Sequence, residues 1–380
     1  MRRTLLISAF AALLLLSGGC TIEPPLHLRK TVQTKVVLTT QVRTEIMWQA
    51  DWRTRWSFPW NEALWGPVEY TVPQGMRMHI YTLGPTGSPV SHNIYNFSGL
   101  SGEVSIFIGK HDLLFHNNIS EVNLFRSETE LDDLYAYTRI ISTGLKGTTP
   151  VRTLSQKEAA TKADDSQIPE ESVAYAPDEL FSLFKPEFEI SDDMSRYEFI
   201  DGKYVIRING DMSPVSYIYL IQINLVNNHG RVIGCFGGAA LTGVAPEVNL
   251  KTRMTGSDPV TIPTDVRINR EVNPDVMGIR LLSFGIPGCN PYDAQSVAEA
   301  PEGKNFLVLS ITYNDYTYKN IRVDVTDQFR ALPTGGVISI DLDVDDFPPE
   351  SSVGPVSGNG GFNPLIDQWD EETGSTSILS

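Results

Sequence analysis

The sequence predicts an all-β fold of two tandem β-sandwich domains behind an exported leader, and three observations predict it. Short runs of β-branched and aromatic residues alternate with polar ones between Pro and Gly punctuation, the pattern of half-buried strands in a sandwich rather than of a parallel sheet. The chain has 380 residues, and at roughly 100 to 200 residues per domain that length supports two cores. Its first residues have the composition of a removable leader.

The leader comes first. Arg2 and Arg3 supply a positive start and Leu5 to Leu16 an apolar run, too short for a bilayer-spanning helix, which needs roughly 20 apolar residues. Leu16-Ser17-Gly18-Gly19-Cys20 then reads as a lipoprotein processing site, with residues 1–19 as signal peptide and Cys20 as the acylated, palmitate-bearing N-terminus. Ser17 stands where the usual lipobox has Leu. Each buried lipid CH₂ contributes about 0.8 kcal/mol, so two or more chains on Cys20 hold a domain at a membrane essentially permanently. Residues 20–30, with Pro24 and Pro25, form the lipidated tether. Thr21, rather than Asp, follows the cysteine, which by analogy with sorting rules points to the cell outer membrane; the sorting rule leaves the facing open, and a surface-exposed domain is the expectation.

The first domain is placed at 31–182. Val32 to Val42 is rich in Thr and Val, residues that suit a pleated, half-buried surface. Trp48, Trp52, Trp56, Trp60 and Trp65 follow, five of the six tryptophans. A spacing of four stripes a helix, but Pro59 disfavours one, and on a strand the even spacing likewise puts Trp48, Trp52 and Trp56 on one face. Two readings stand: an exposed platform that stacks on a glycan or partner peptide, or a plug at one end of a sandwich. Tyr70 to Leu83, Glu103 to Ile108 and Leu113 to His116 are strand-like. Ser155 to Glu171 reads as a solvated helix or linker, and Pro177-Asp178-Glu179-Leu180 as a short helix start.

The second domain is placed at 183–348. Val215, Tyr217, Tyr219, Ile221, Ile223 and Leu225 take one face of a long strand. Leu307 to Tyr313 and Ile321 to Val325, joined across Asn314-Asp315, make a hairpin. Ile338 to Val344 alternates with Ser339, Asp341, Asp343 and Asp345, an acidic strand whose charges discourage edge-to-edge association. Residues 349–380 form a flexible acidic tail with a candidate terminal strand.

The formal net charge is −16, which repels nucleic acid and keeps an exported protein soluble at high density. Apart from Cys20 only Cys235 and Cys289 occur. They can pair in an oxidising compartment or sit as small buried apolar residues. The six histidines show no metal-ligand spacing, and no phosphate-binding, dinucleotide or nucleophile-elbow motif is present. Asp341 to Ser352 fails the calcium-loop pattern, with Asp346 where glycine is needed. No catalytic site, metal or cofactor is expected, and the protein is read as a non-enzyme.

Several phrases resemble fimbrillin-like lipoproteins of Bacteroidales, in the type V pilin superfamily. They are the lipobox, Trp65-Gly66-Pro67, Lys110 to Asn118, Pro177-Asp178-Glu179-Leu180, Gly238 to Gly243 and the tail Gly360 to Trp369. Within that superfamily the resemblance is strongest to an uncharacterised branch of unknown-function lipoproteins. It implies transthyretin-like, Greek-key sandwiches and a role in a fimbrium or in cell adhesion. It also implies partnership with fimbrial subunits by strand addition, in which main-chain hydrogen bonds supply affinity. In such pili an Arg-specific protease frees the groove. Here Arg29, Arg43, Arg53 and Arg55 all follow Cys20, so a cut would release the lipid, and an uncut anchor or accessory subunit is the coherent role. The alternative is a surface glycan-binding lipoprotein using Trp48 to Trp65.

Overall fold

The structure, a computed structural model, describes residues 31–40, 55–141 and 171–349. The signal peptide, Cys20, the tether, Trp48, Trp52 and, apart from Glu171 and Pro349, the expected linker and tail lie outside them. In chain order the described residues form β1 (Thr31–Thr40), α1 (Glu62–Trp65), β2 (Met76–Leu83), β3 (Pro89–Phe97), β4 (Ser101–Phe107), β5 (Gly109–His116), β6 (Leu124–Arg126), β7 (Tyr135–Tyr137), β8 (Ser172–Val173), β9 (Phe181–Ile190), β10 (Glu198–Ile200) and β11 (Lys203–Pro214). Then come β12 (Tyr217–Val226), β13 (Val232–Gly234), β14 (Ala239–Val244), β15 (Glu247–Asn249), β16 (Val260–Thr264), β17 (Arg267–Asn269), β18 (Asp275–Ser283), α2 (Ala294–Ala298), β19 (Phe306–Tyr313), β20 (Tyr318–Asp324), α3 (Thr326–Arg330) and β21 (Gly336–Asp343). The all-β expectation is met.

The first sheet has the order β3-β2-β5-β9-β11-β1-β4, with β10 beside β11. β11 carries it from one layer to the other. Val205 to Met212 pair with β1, whereas Ser213 and Pro214 pair with Ser182 and Phe181 of β9. Met76, Met78, Ile80, Leu113 and Phe115 from one layer meet Val104, Ile106 and Ile208 from the other in a single apolar cluster.

The second sandwich sets β17-β18-β12-β21 against β13-β19-β14-β16-β8, with β20 beyond β19. Tyr217, Tyr219, Ile221, Ile223 and Leu225 point into its core with Leu307, Leu309, Ile338 and Ile340, as the alternation requires. The expected hairpin is present, with Leu309 opposite Ile321. The other face of β12 is covered too: Ile218 and Leu220 belong to the first core. A small sheet, β15-β7-β6, backs the outer face of β2 and β5 through Tyr81, Leu114, Leu134 and Val248.

Two expectations are corrected. The boundary placed between 182 and 183 falls inside β9, which pairs with β5; the chain leaves the first sheet only after Pro214. The two halves are also interleaved, since β8 pairs with β16 and β7 with β15. Pro177 to Leu180 begins no helix. The Asp178 carboxylate instead accepts the Ser120 hydroxyl and the Glu121 and Val122 N–H groups, so its capping capacity goes to a neighbouring loop rather than to a helix of its own.

Candidate functional site

The position of β1 is the main feature bearing on function. It is bonded on both sides, antiparallel to β4 from Thr31 opposite Phe107 to Val37 opposite Ser101, and parallel to β11 from Gln33 opposite Val205 to Thr40 opposite Met212. Val32 is fully buried. Every other strand of this sheet comes from residues 76–116 or 181–214. β1 is therefore an N-terminal strand set between two strands that would otherwise each present an open main-chain edge, the geometry that strand addition needs.

The outer edges of the sheets differ in protection. β3 ends the first sheet and pairs with β2 alone among the described strands, leaving Val90, Ile94 and Tyr95 exposed. β21 ends the other sheet, and there the Gln328 amide takes the place of a strand. The Ser339 N–H donates to Gln328 Oε1 at 3.0 Å, and Gln328 Nε2 donates to the Ser339 carbonyl at 3.0 Å. The β21 carboxylates add to this: Asp341 accepts from Asn224 at 2.6 Å and Asp343 from Asn227.

Trp56, Trp60 and Trp65 meet in a cluster whose ring centroids are 4.9 to 5.2 Å apart. Asn61 caps α1 by accepting the Leu64 N–H. Trp56 and Trp65 are buried, and Trp60 is half-buried. Trp65 Nε1 donates to the Arg267 carbonyl at 3.0 Å, and Ser57 N–H donates to Gln222 of β12 at 2.7 Å. These rings cover the back of the β17-β18-β12-β21 sheet, so Trp56 and Trp65 present no face to a glycan. Cys235 and Cys289 form no disulfide. Both lie in the second core, where burial pushes their thiols up to about 12 and about 11; of the two readings, it is the small buried apolar residue that describes them.

The family DUF5119, a domain of unknown function, matches residues 62–265. The chain belongs to this family. No curated protein matches it in sequence. Among solved structures it is similar to a candidate adhesin of Bacteroides ovatus ATCC 8483, at 17% identity and TM-score 0.48, covering 85% of this chain and 95% of that one. It is also similar to a DUF1812 protein of Bacteroides thetaiotaomicron VPI-5482 described as a candidate polysaccharide-binding protein, at 8% identity and TM-score 0.43, covering 82% and 91%. A third is the fimbrial anchor protein Mfa2 from Porphyromonas gingivalis, at 11% identity and TM-score 0.41, covering 82% and 91%.

Within the DUF5119 region lies a constellation that spacing along the sequence does not reveal. His79 of β2, His92 of β3 and His116 of β5 form a chain of imidazoles, with His79 Nδ1 3.1 Å from His92 Nε2 and His79 Nε2 3.0 Å from His116 Nε2. His116 Nδ1 faces the Asn117 carbonyl at 2.8 Å, so it carries that ring's proton and Nε2 accepts. His79 must then donate through Nε2 and accept through Nδ1, and His92 donates through Nε2. Because His79 uses both nitrogens in this relay, the three rings do not converge on one point, and no metal-binding group occurs among the described residues of this DUF5119 chain. The signal that could have found them is register. Tyr81 pairs with His92 and Arg77 with His116, which sets His79 diagonal to both.

Proposed function

We propose that this protein is an outer-membrane-anchored, surface-facing lipoprotein of fimbrial assembly or adhesion. In this reading it serves as an uncut anchor or accessory subunit, held by lipid on Cys20 and joined to fimbrial subunits by strand addition. The observation that carries the reading is β1. It begins eleven residues after Cys20 and is bonded along both edges inside the first sheet. A cut after Arg29 would spare this strand and release the lipid, whereas the uncut chain holds lipid and strand in one continuous segment. The role proposed is structural rather than enzymatic.

The test is deletion of the gene together with immunogold electron microscopy of intact cells. Gold at filament bases, with fimbriae altered in length, number or attachment in the deletion strain, is the expected result. Fimbriae unchanged in all three would overturn it, and gold appearing only after permeabilisation would overturn the surface location.

A further inference from the structure

The β10–β11 hairpin has a surface that the strand-addition reading does not use. Its turn, Asp201-Gly202, lies beyond the first β1–β11 pair, Gln33 opposite Val205. Phe199 pairs with Tyr204 across it, their rings 5.0 Å apart. Both are exposed, Phe199 at 64% and Tyr204 at 39%, as is Ile200 at 40%. Further along this layer Val32, Val104, Ile106 and Ile208 are all buried. A group of large apolar side chains left in water at one end of a sheet marks a contact surface.

Its placement points to the partner. Gln33 lies opposite Val205 in the parallel β1–β11 pairing, and the same register carried back two residues sets Lys203 beside Thr31, so the hairpin tip lies next to the point where β1 begins. From Thr31 back to Cys20 there are eleven residues, a span of at most about 40 Å when fully extended. If the lipid is on Cys20, this end of the sheet is the one held toward the bilayer. The chemistry agrees. Lys203 sits at the turn without an ion pair among the described residues, and Arg207 pairs with Glu198 at 3.2 Å. Aromatic rings at a tip whose four charges, Glu198, Asp201, Lys203 and Arg207, cancel suit the headgroup boundary, where the ring enters the acyl region and the charges stay wet.

We propose that the tip formed by Phe199, Ile200 and Tyr204 docks into the lipid surface and fixes the tilt of the domain on it. The proposal rests on the lipid anchor read at Cys20. A lipid chain alone leaves the domain free to rotate about a tether, whereas a second contact presents β3 and the rest of the sheet in one orientation.

The experiment uses the full lipidated chain in vesicles of phosphatidylethanolamine and phosphatidylglycerol, with its mass establishing acylation. An environment-sensitive thiol probe is placed at Ile200→Cys and, as a control, at the exposed Tyr316→Cys; Cys235 and Cys289 are buried and do not compete. The expected result is quenching of the Ile200 probe by a lipid-borne nitroxide, none at Tyr316, and loss of quenching when Phe199→Ser and Tyr204→Ser are added. In an acylated chain, an Ile200 probe as aqueous as the control overturns the docking alone. A probe shielded from water yet untouched by the lipid quencher means a protein contact and overturns it too. A chain without acyl mass overturns the anchor reading and the docking together.

Discussion

Arg280 of β18 donates to Glu179 at 2.7 Å, joining the second sandwich to the segment that leads into β9. The two side chains are 14% and 17% exposed. Glu179 uses its other oxygen to accept the Thr71 N–H at 2.6 Å, and the neighbouring Asp178 binds the 120–122 loop. This short acidic phrase is therefore a fastening between sheets.

Breaking that fastening on one side leaves a charge without its partner in a nearly dry site. Glu179→Gln is expected to destabilise the protein by about 3 kcal/mol, the cost of an uncompensated buried charge, while Glu179→Leu with Arg280→Met restores much of it. Urea unfolding of the three chains checks this, and equal losses in the single and double variants would contradict it.

The tryptophan cluster makes a second prediction. A Cβ on Gly278 would stand 2.3 Å from Trp65 Cε2, so the indole lies directly on the main chain of β18. Gly278→Ala is expected to cost about 1 to 3 kcal/mol through overpacking. Trp65→Ala is expected to cost about 3 to 5 kcal/mol through the cavity it leaves. Denaturant midpoints measure both; an unchanged midpoint for Trp65→Ala would show that the ring does not pack there.

The histidine relay makes stability depend on pH. Burial, together with the charges of His116, His92 and Arg77, lowers His79 from the usual 6.5 to about 2. Burial, followed by the Arg77 charge, lowers His116 to about 4 against the opposing Asn117 hydrogen bond. The unfolded chain takes up these protons near pH 6.5 while the folded chain does not. Stability is therefore full above that pH and falls as the solution is acidified from about 6.5 toward 4. His79→Phe with His116→Phe should flatten that decline. Urea midpoints at intervals from pH 7 to pH 4 test it, and parallel profiles for the two chains would exclude the relay as the cause.

Much of the fold was legible because strand alternation is a local property. The odd residues of β12 and the β19–β20 hairpin could be read directly, since a period of two with turn residues between runs needs no knowledge of the partner strand. β3 could not, because an edge strand exposed on both faces has no apolar side to alternate. β9 was missed for a related reason: it starts buried at Phe181 and Ser182 and then runs half-exposed and exposed until Ile190. The domain boundary was misplaced as a consequence.

An all-β chain, the face that β12 turns to the second core, and five tryptophans gathered in one segment are all written locally in the residues. Long-range packing sets the rest: Trp65 is buried against β18 with Trp56 packed on it, Cys235 and Cys289 remain unpaired, β1 lies between β4 and β11, and three histidines from three strands share two hydrogen bonds. The reason is range. Side-chain alternation is written within a few residues, whereas burial and register depend on strands far apart in the chain, and a shift of one residue in register moves every side chain to the other face.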